Sequence, residues 1–100
     1  MAGFIQFVEF EATDIDAVAA ELERFRDEHP GALTASVSTT VEDRDRPGTY
    51  LSIVEFPSYE KAMEQQSNPV TSEFSASLAK VMSGPPRFRN LDVRSVLTNP

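Results

Sequence analysis

The sequence predicts an α+β domain: a four-stranded antiparallel sheet with helices on one face, its elements in the order β-α-β-β-α-β. Three observations predict it. Glycine and proline fall at a few narrow sites, Pro30-Gly31, Pro47-Gly48, Pro57, Pro69 and Gly84-Pro85-Pro86, and each interrupts regular backbone for a steric reason of its own. The segments between them alternate between the two-residue period of a strand and the period of about 3.6 residues of a helix. A short echo also links the halves, since Phe7-Val8-Glu9-Phe10 precedes the first helix and Ile53-Val54-Glu55-Phe56 the second, implying two β-α-β units.

Phe4 to Phe10 is β-branched and aromatic, which suits a strand. From Asp14 to Glu28, Ile15, Val18, Leu22 and Phe25 form one apolar helical stripe; Thr13 is the expected N-cap, and Pro30-Gly31 ends the helix. Leu33 to Val41 alternates small or apolar residues with Ser and Thr, as a strand with one drier face does, and the charged stretch Glu42 to Gly48 is a turn. Tyr50 to Phe56 is the third strand. Ser58 caps a helix through Tyr59, Ala62 and Met63, which bends and restarts at Asn68-Pro69 and continues through Val70, Phe74, Leu78 and Val81 to Gly84. Arg87 to Leu97 alternates again and is the fourth strand. The two units interleave most simply as a ferredoxin-like sheet with the first and third strands central.

Composition limits the functions open to such a domain. Its 100 residues fit one domain, 1–100, with 40% hydrophobic and 25% charged residues, the balance of a globular protein. Cysteine is absent, which excludes disulfides and thiolate chemistry, and a single histidine excludes a multi-histidine metal centre. A formal charge of -7 disfavours nucleic acid and anionic membranes, because phosphate backbones are bound by Lys and Arg. No run is long and apolar enough for a bilayer, and Met1-Ala2-Gly3-Phe4-Ile5-Gln6 lacks the pattern of a leader, so a cytoplasmic location is expected.

Both faces of the central strands are apolar. Ile5 and Phe7 oppose Phe4, Gln6, Val8 and Phe10; Leu51 and Ile53 oppose Tyr50, Ser52, Val54 and Phe56. Helices can cover one face only, so the other calls for a second cover. The more aliphatic set, Ile5, Phe7, Leu51 and Ile53, is expected under the helices. Phe4, Gln6, Val8, Phe10, Ser52 and Val54 are then expected to line a partly hollow chamber between two copies, a homodimer joined sheet to sheet.

With these elements in place, the chain resembles the dimeric α/β-barrel superfamily, in particular the small antibiotic-biosynthesis-monooxygenase-like proteins. The resemblance spans Phe4 to Val96 and is carried by the element order, by Tyr50-Leu51-Ser52-Ile53-Val54-Glu55-Phe56-Pro57-Ser58-Tyr59-Glu60-Lys61-Ala62-Met63 and by Gly84-Pro85-Pro86-Arg87-Phe88-Arg89-Asn90-Leu91-Asp92-Val93. It implies a chamber for a small aromatic or polyketide-type molecule and no bound cofactor. Characterised proteins of this fold include cofactor-independent oxygenases, haem-degrading enzymes, lactone isomerases and proteins without demonstrated activity. The Asn, Trp and Arg group of the oxygenases is incomplete here, as the chain has no tryptophan.

Four residues are candidates for chemistry. His29, the one histidine, is a possible base, though it also sits where a cation suits a helix C-terminus. Tyr50 is either a chamber residue that hydrogen-bonds a ligand or a core tyrosine. Phe88, Asn90, Asp92 and Arg94 share one parity on the last strand. If that side meets the chamber, Phe88 lines it, Asn90 orients an oxygen atom and Arg94 stabilises an enolate or peroxide anion; a solvated edge strand explains the same pattern. Asn68 reads as a helix cap, Glu9 and Glu55 as solvated strand ends, and Asp43 to Asp45 as a self-neutralising turn. The leading reading is a cofactor-independent monooxygenase-like protein; the alternatives are a non-catalytic dimeric ligand-binding or interaction module, and haem binding through His29.

Overall fold

A computed structural model describes residues 3–100. Met1 and Ala2, the first residues of the segment searched for a leader, lie outside the described residues. The elements are β1 (Phe4–Glu11), α1 (Ile15–Glu28), β2 (Val37–Glu42), β3 (Thr49–Phe56), α2 (Tyr59–Ser67), α3 (Val70–Ala79) and β4 (Arg87–Asp92). The strands form one antiparallel sheet in the order β2-β3-β1-β4, with the first and third strands central as expected. This is the ferredoxin-like arrangement, its second helical segment broken at Asn68-Pro69 into α2 and α3.

Local chemistry explains the boundaries, including those that differ from expectation. Asp14 rather than Thr13 caps α1, its Oδ1 accepting from the backbone N–H groups of Asp16 at 3.1 Å and Ala17 at 3.3 Å. Ser58 caps α2 through Lys61 N–H, as expected. At the bend, Asn68 Oδ1 accepts from Val70 N–H at 3.1 Å and covers the start of α3. The second strand starts at Val37, not Leu33, because the preceding backbone is engaged by α2: Thr34 N–H donates to Gln65 Oε1 and the Thr34 hydroxyl to the Lys61 carbonyl. The fourth strand ends at Asp92 rather than Leu97. Asp92 pairs with Phe4, where β1 begins, and one further backbone bond, from Val93 N–H to the Gly3 carbonyl, follows it.

The two sheet faces are assigned the reverse of the expectation. Phe4, Phe10 and Phe56 are 3%, 4% and 2% exposed and lie beneath the helices. Phe4 and Phe56 pack with Ala62, Met63, Ala35 and Val54, while Phe10 packs with Val18, Val8, Tyr50, Leu22 and Leu78. Gln6 and Ser52 share this side by register, as do Phe88 and Asn90, which pair with Val8 and Gln6. The residues expected to line an outer chamber therefore form the roof of the protomer's own helix layer. Ile5, Phe7, Leu51 and Ile53, expected beneath the helices, occupy the opposite, open face. Aromatic volume accounts for the inversion, because rings fill the space between a sheet and its helices better than aliphatic branches do. Phe4 meets Phe56 at 6.1 Å and Tyr59 at 5.4 Å between ring centroids, and Phe10 stacks on Tyr50 at 5.7 Å.

The open face is ordered in three cross-strand rows: Val37, Glu55, Ile5 and Leu91; Thr39, Ile53, Phe7 and Arg89; Val41, Leu51, Glu9 and Arg87. Seven of these twelve side chains are apolar. Among the described residues no helix packs on them.

Candidate functional site

The two apolar clusters beneath the helices leave a polar strip between them. One cluster gathers at the Phe4 and Phe56 end of the sheet under α2, the other at the Phe10 and Tyr50 end under α1 and α3. Gln6 and Ser52 lie in the intervening rows, half-buried, and belong to neither cluster. Strand alternation aims both toward the helices, and the β1–β4 register sets Asn90 beside Gln6. Gln6 Nε2 donates to Asn90 Oδ1 at 3.1 Å, fixing both amides. Gln6 Oε1 and Asn90 Nδ2 have no protein partner among the described residues, so the pair presents one acceptor and one donor.

Tyr50 stands at one end of the strip, half-buried and stacked on Phe10. Burial holds its phenol above the usual range, and the neighbouring Glu42 carboxylate adds to the shift. The hydroxyl therefore stays protonated and is a hydrogen-bond donor at neutral pH. Phe88, 59% exposed, continues the face on the edge strand, beside Val8.

His29 and Arg94 are not brought to the strip. His29 ends α1, its backbone N–H bonded to the Phe25 carbonyl and its ring 5.0 Å from that of Phe25, which stacks on Phe74 of α3. It lies in the seam between the helices. Arg94 follows the last paired residues, is exposed, and makes no ion pair among the described residues. Asn68 acts as a cap, and Asp43 is bound by Arg46 at 3.1 Å within the turn. Glu9 faces Arg87 at 3.7 Å on the open side of the sheet. Of the predicted residues the structure gathers Gln6, Val8, Tyr50, Ser52, Phe88 and Asn90 on one face. The Gln6–Asn90 partnership itself was not anticipated; its one sequence signal is the opposite charge of Glu9 and Arg87, which sets the same strand register.

Two open clefts lie elsewhere. One, of about 280 Å³, is bounded by Glu9, Glu11 and the Ser83–Arg87 segment, and one of about 330 Å³ by the turn residues Glu42, Asp43, Arg44 and Pro47. Among the described residues no three His, Asp or Glu side chains converge as a metal site, and no helix is long and apolar enough to cross a membrane.

No family model matches the chain, and no curated protein matches it by sequence. Solved structures do match it in fold. A variant of SnoaB, a cofactor-independent oxygenase from Streptomyces nogalater, superposes with a TM-score of 0.75 at 14% identity, covering 98% of this chain and 100% of that one. The monooxygenase from the ActVA-Orf6 gene of Streptomyces coelicolor, in complex with the ligand nanaomycin D, gives 0.76 at 14% identity over 99% and 94% of the two chains. A conserved protein from Methanosarcina mazei Go1 gives 0.74 at 6% identity over 94% and 95%. In fold, the chain is similar to cofactor-independent and antibiotic biosynthesis monooxygenases.

Proposed function

We propose that the chain is a cofactor-independent monooxygenase that binds a small aromatic or polyketide-type molecule against the Gln6–Asn90 strip and works as a homodimer joined through the open sheet face. The observation that carries the ligand reading is the amide pair held at 3.1 Å between two apolar clusters. Support for the reaction class comes from the fold shared with SnoaB and with the nanaomycin D complex. In the reaction, an electron-rich phenolic substrate loses a proton to solvent water and its enolate reduces dioxygen directly; a ring CH2 becomes C=O, with one oxygen atom entering the product and the other leaving as water with the two hydrogens of the CH2. The chain's contribution is to hold the enolate oxygen by the Asn90 amide and to exclude water with the flanking apolar side chains. Oxygen uptake by the purified protein with a hydroxyanthrone tests this. Uptake above the spontaneous rate, lowered in Asn90→Ala, is expected; uptake equal to background rejects it.

The dimer rests on the open face. Burying each of its apolar side chains is worth roughly 1.5–3 kcal/mol, enough in sum to drive association. The face also bears both signs of charge, Glu9 and Glu55 with Arg87 and Arg89, so a two-fold copy of the same patch meets opposite charges.

One observation favours a second reading, a ligand-binding module without turnover. None of Gln6, Ser52, Tyr50 and Asn90 is a base at neutral pH, and His29 lies in the helix seam. Tight binding of an anthraquinone together with no oxygen uptake selects that reading.

A further inference from the structure

We infer that Asp92 is a specificity residue of the Gln6–Asn90 strip, and that the chain selects an uncharged hydroxyaromatic ligand over the same ring system bearing a carboxylate. The inference rests on the ligand reading proposed above and narrows it from an aromatic molecule to one without an anionic substituent.

Strand register sets Asp92 beside the strip. Asp92 pairs with Phe4 as Asn90 pairs with Gln6, so both residues of β4 share the helix side of the sheet. Alternate residues of a strand stand about 7 Å apart, within the span of a fused-ring ligand whose oxygen meets the Asn90 amide. Asn90 and Asp92 are both exposed, so the strip is open at this edge.

Charge on this side of the sheet has one sign. Among the strand residues that register sets there, Glu42 of β2 and Asp92 of β4 bear carboxylates, and none is Lys or Arg. Glu42 bonds the Tyr50 hydroxyl, and Asp14 and Asp16 at the start of α1 add negative charge near that phenol. The cations of β4, Arg87 and Arg89, share rows with Glu9 and Phe7 on the opposite, open face. In the helices, Arg24 is held by Glu21 and Glu28, Arg26 by Asp27 and Lys61 by Glu64, each a carboxylate of the same helix. Lys80, at the end of α3, lies toward Glu21 of α1. Arg94 is four residues along the chain from Asn90, against two for Asp92.

An anionic ligand on the strip therefore meets neutral amides and, as its nearest charge on β4, a carboxylate. A separation of about 7 Å is inside the screening length of about 8–10 Å at physiological salt. Across a partly wet surface, two like charges at that distance weaken binding by about three- to tenfold.

Fluorescence titration of the full chain with a dihydroxyanthraquinone and with its ring-carboxylated analogue tests this. The uncharged quinone is expected to bind at least about fivefold more tightly at low salt, and added salt should narrow the gap. Asp92→Asn should narrow it too, by raising affinity for the carboxylate about threefold or more, a gain that damage to the fold cannot produce. Equal affinities, tighter binding of the carboxylate, or a gap that Asp92→Asn leaves unchanged overturns the inference while the ligand reading stands. Absence of binding by both quinones overturns the ligand reading and this inference with it.

Discussion

Gln6 donates from its side-chain amide to the Asn90 carbonyl oxygen, 3.1 Å across the β1–β4 ladder, and this bond joins a central strand to an edge strand on the helix-covered face. It is a neutral, partly exposed bond, worth roughly 0.5–1.5 kcal/mol at most. Asn90→Ala is therefore expected to lower unfolding stability by less than about 1 kcal/mol in urea. Ligand affinity or oxygen uptake, in contrast, should fall by about tenfold or more, since the enolate oxygen of the substrate loses its Asn90 donor. Equal loss of stability and binding would mean that the bond is structural.

Tyr50 is raised above the ordinary 10.0 of a phenol, first by burial and then by Glu42. In Tyr59→Phe, which leaves one tyrosine to titrate, the ultraviolet tyrosinate signal should rise at a pH above 10.0, and Glu42→Gln should move it back part of the way. The sign follows from linkage: a raised folded-state value favours the folded protein while the phenol is neutral, so the contribution is complete below pH 10.0 and is lost as pH rises through the folded-state value. Tyr50→Phe should remove this alkaline component.

Faces of the sheet can be separated by substitution. Phe56, 2% exposed, fills the layer between sheet and helices, and Phe56→Ala should cost about 3–5 kcal/mol in denaturant unfolding at any protein concentration. Ile53 is next but two along the same strand and faces the other way, toward the open side. Ile53→Asp should leave the protomer folded by circular dichroism and abolish association in sedimentation.

Asp14 covers two N–H groups at the start of α1, at 3.1 and 3.3 Å. Asp14→Ala should destabilise the chain by about 1 kcal/mol, whereas Thr13→Ala should change it by a few tenths at most, read from urea midpoints.

Much of this was legible in the residues. The glycine and proline sites marked every junction except that between β1 and α1, and alternation sorted each central strand into two sets with the correct membership: Phe4, Gln6, Val8 and Phe10 do share one face, and Asn90 and Phe88 do join them. His29 and Arg94 lie apart from that face for separate reasons. A helix end reveals nothing about which neighbour it packs on, and His29 found Phe25 in the interhelical seam. Alternation past Asp92 looked like more strand, but a strand exists only where a neighbour pairs with it, and among the described residues β1 starts at Phe4.

By itself the sequence determined that a single β-layer bears two apolar sides and that its own helices shield one of them. Only the tertiary structure decided which. A period of two residues divides a strand into halves without ranking them, while the side on which a helix settles depends on how the crossover turns and on which side chains fill the gap. Here the bulky rings of Phe4, Phe10 and Phe56 filled it, leaving Ile5, Phe7, Leu51 and Ile53 without cover from the chain's own helices.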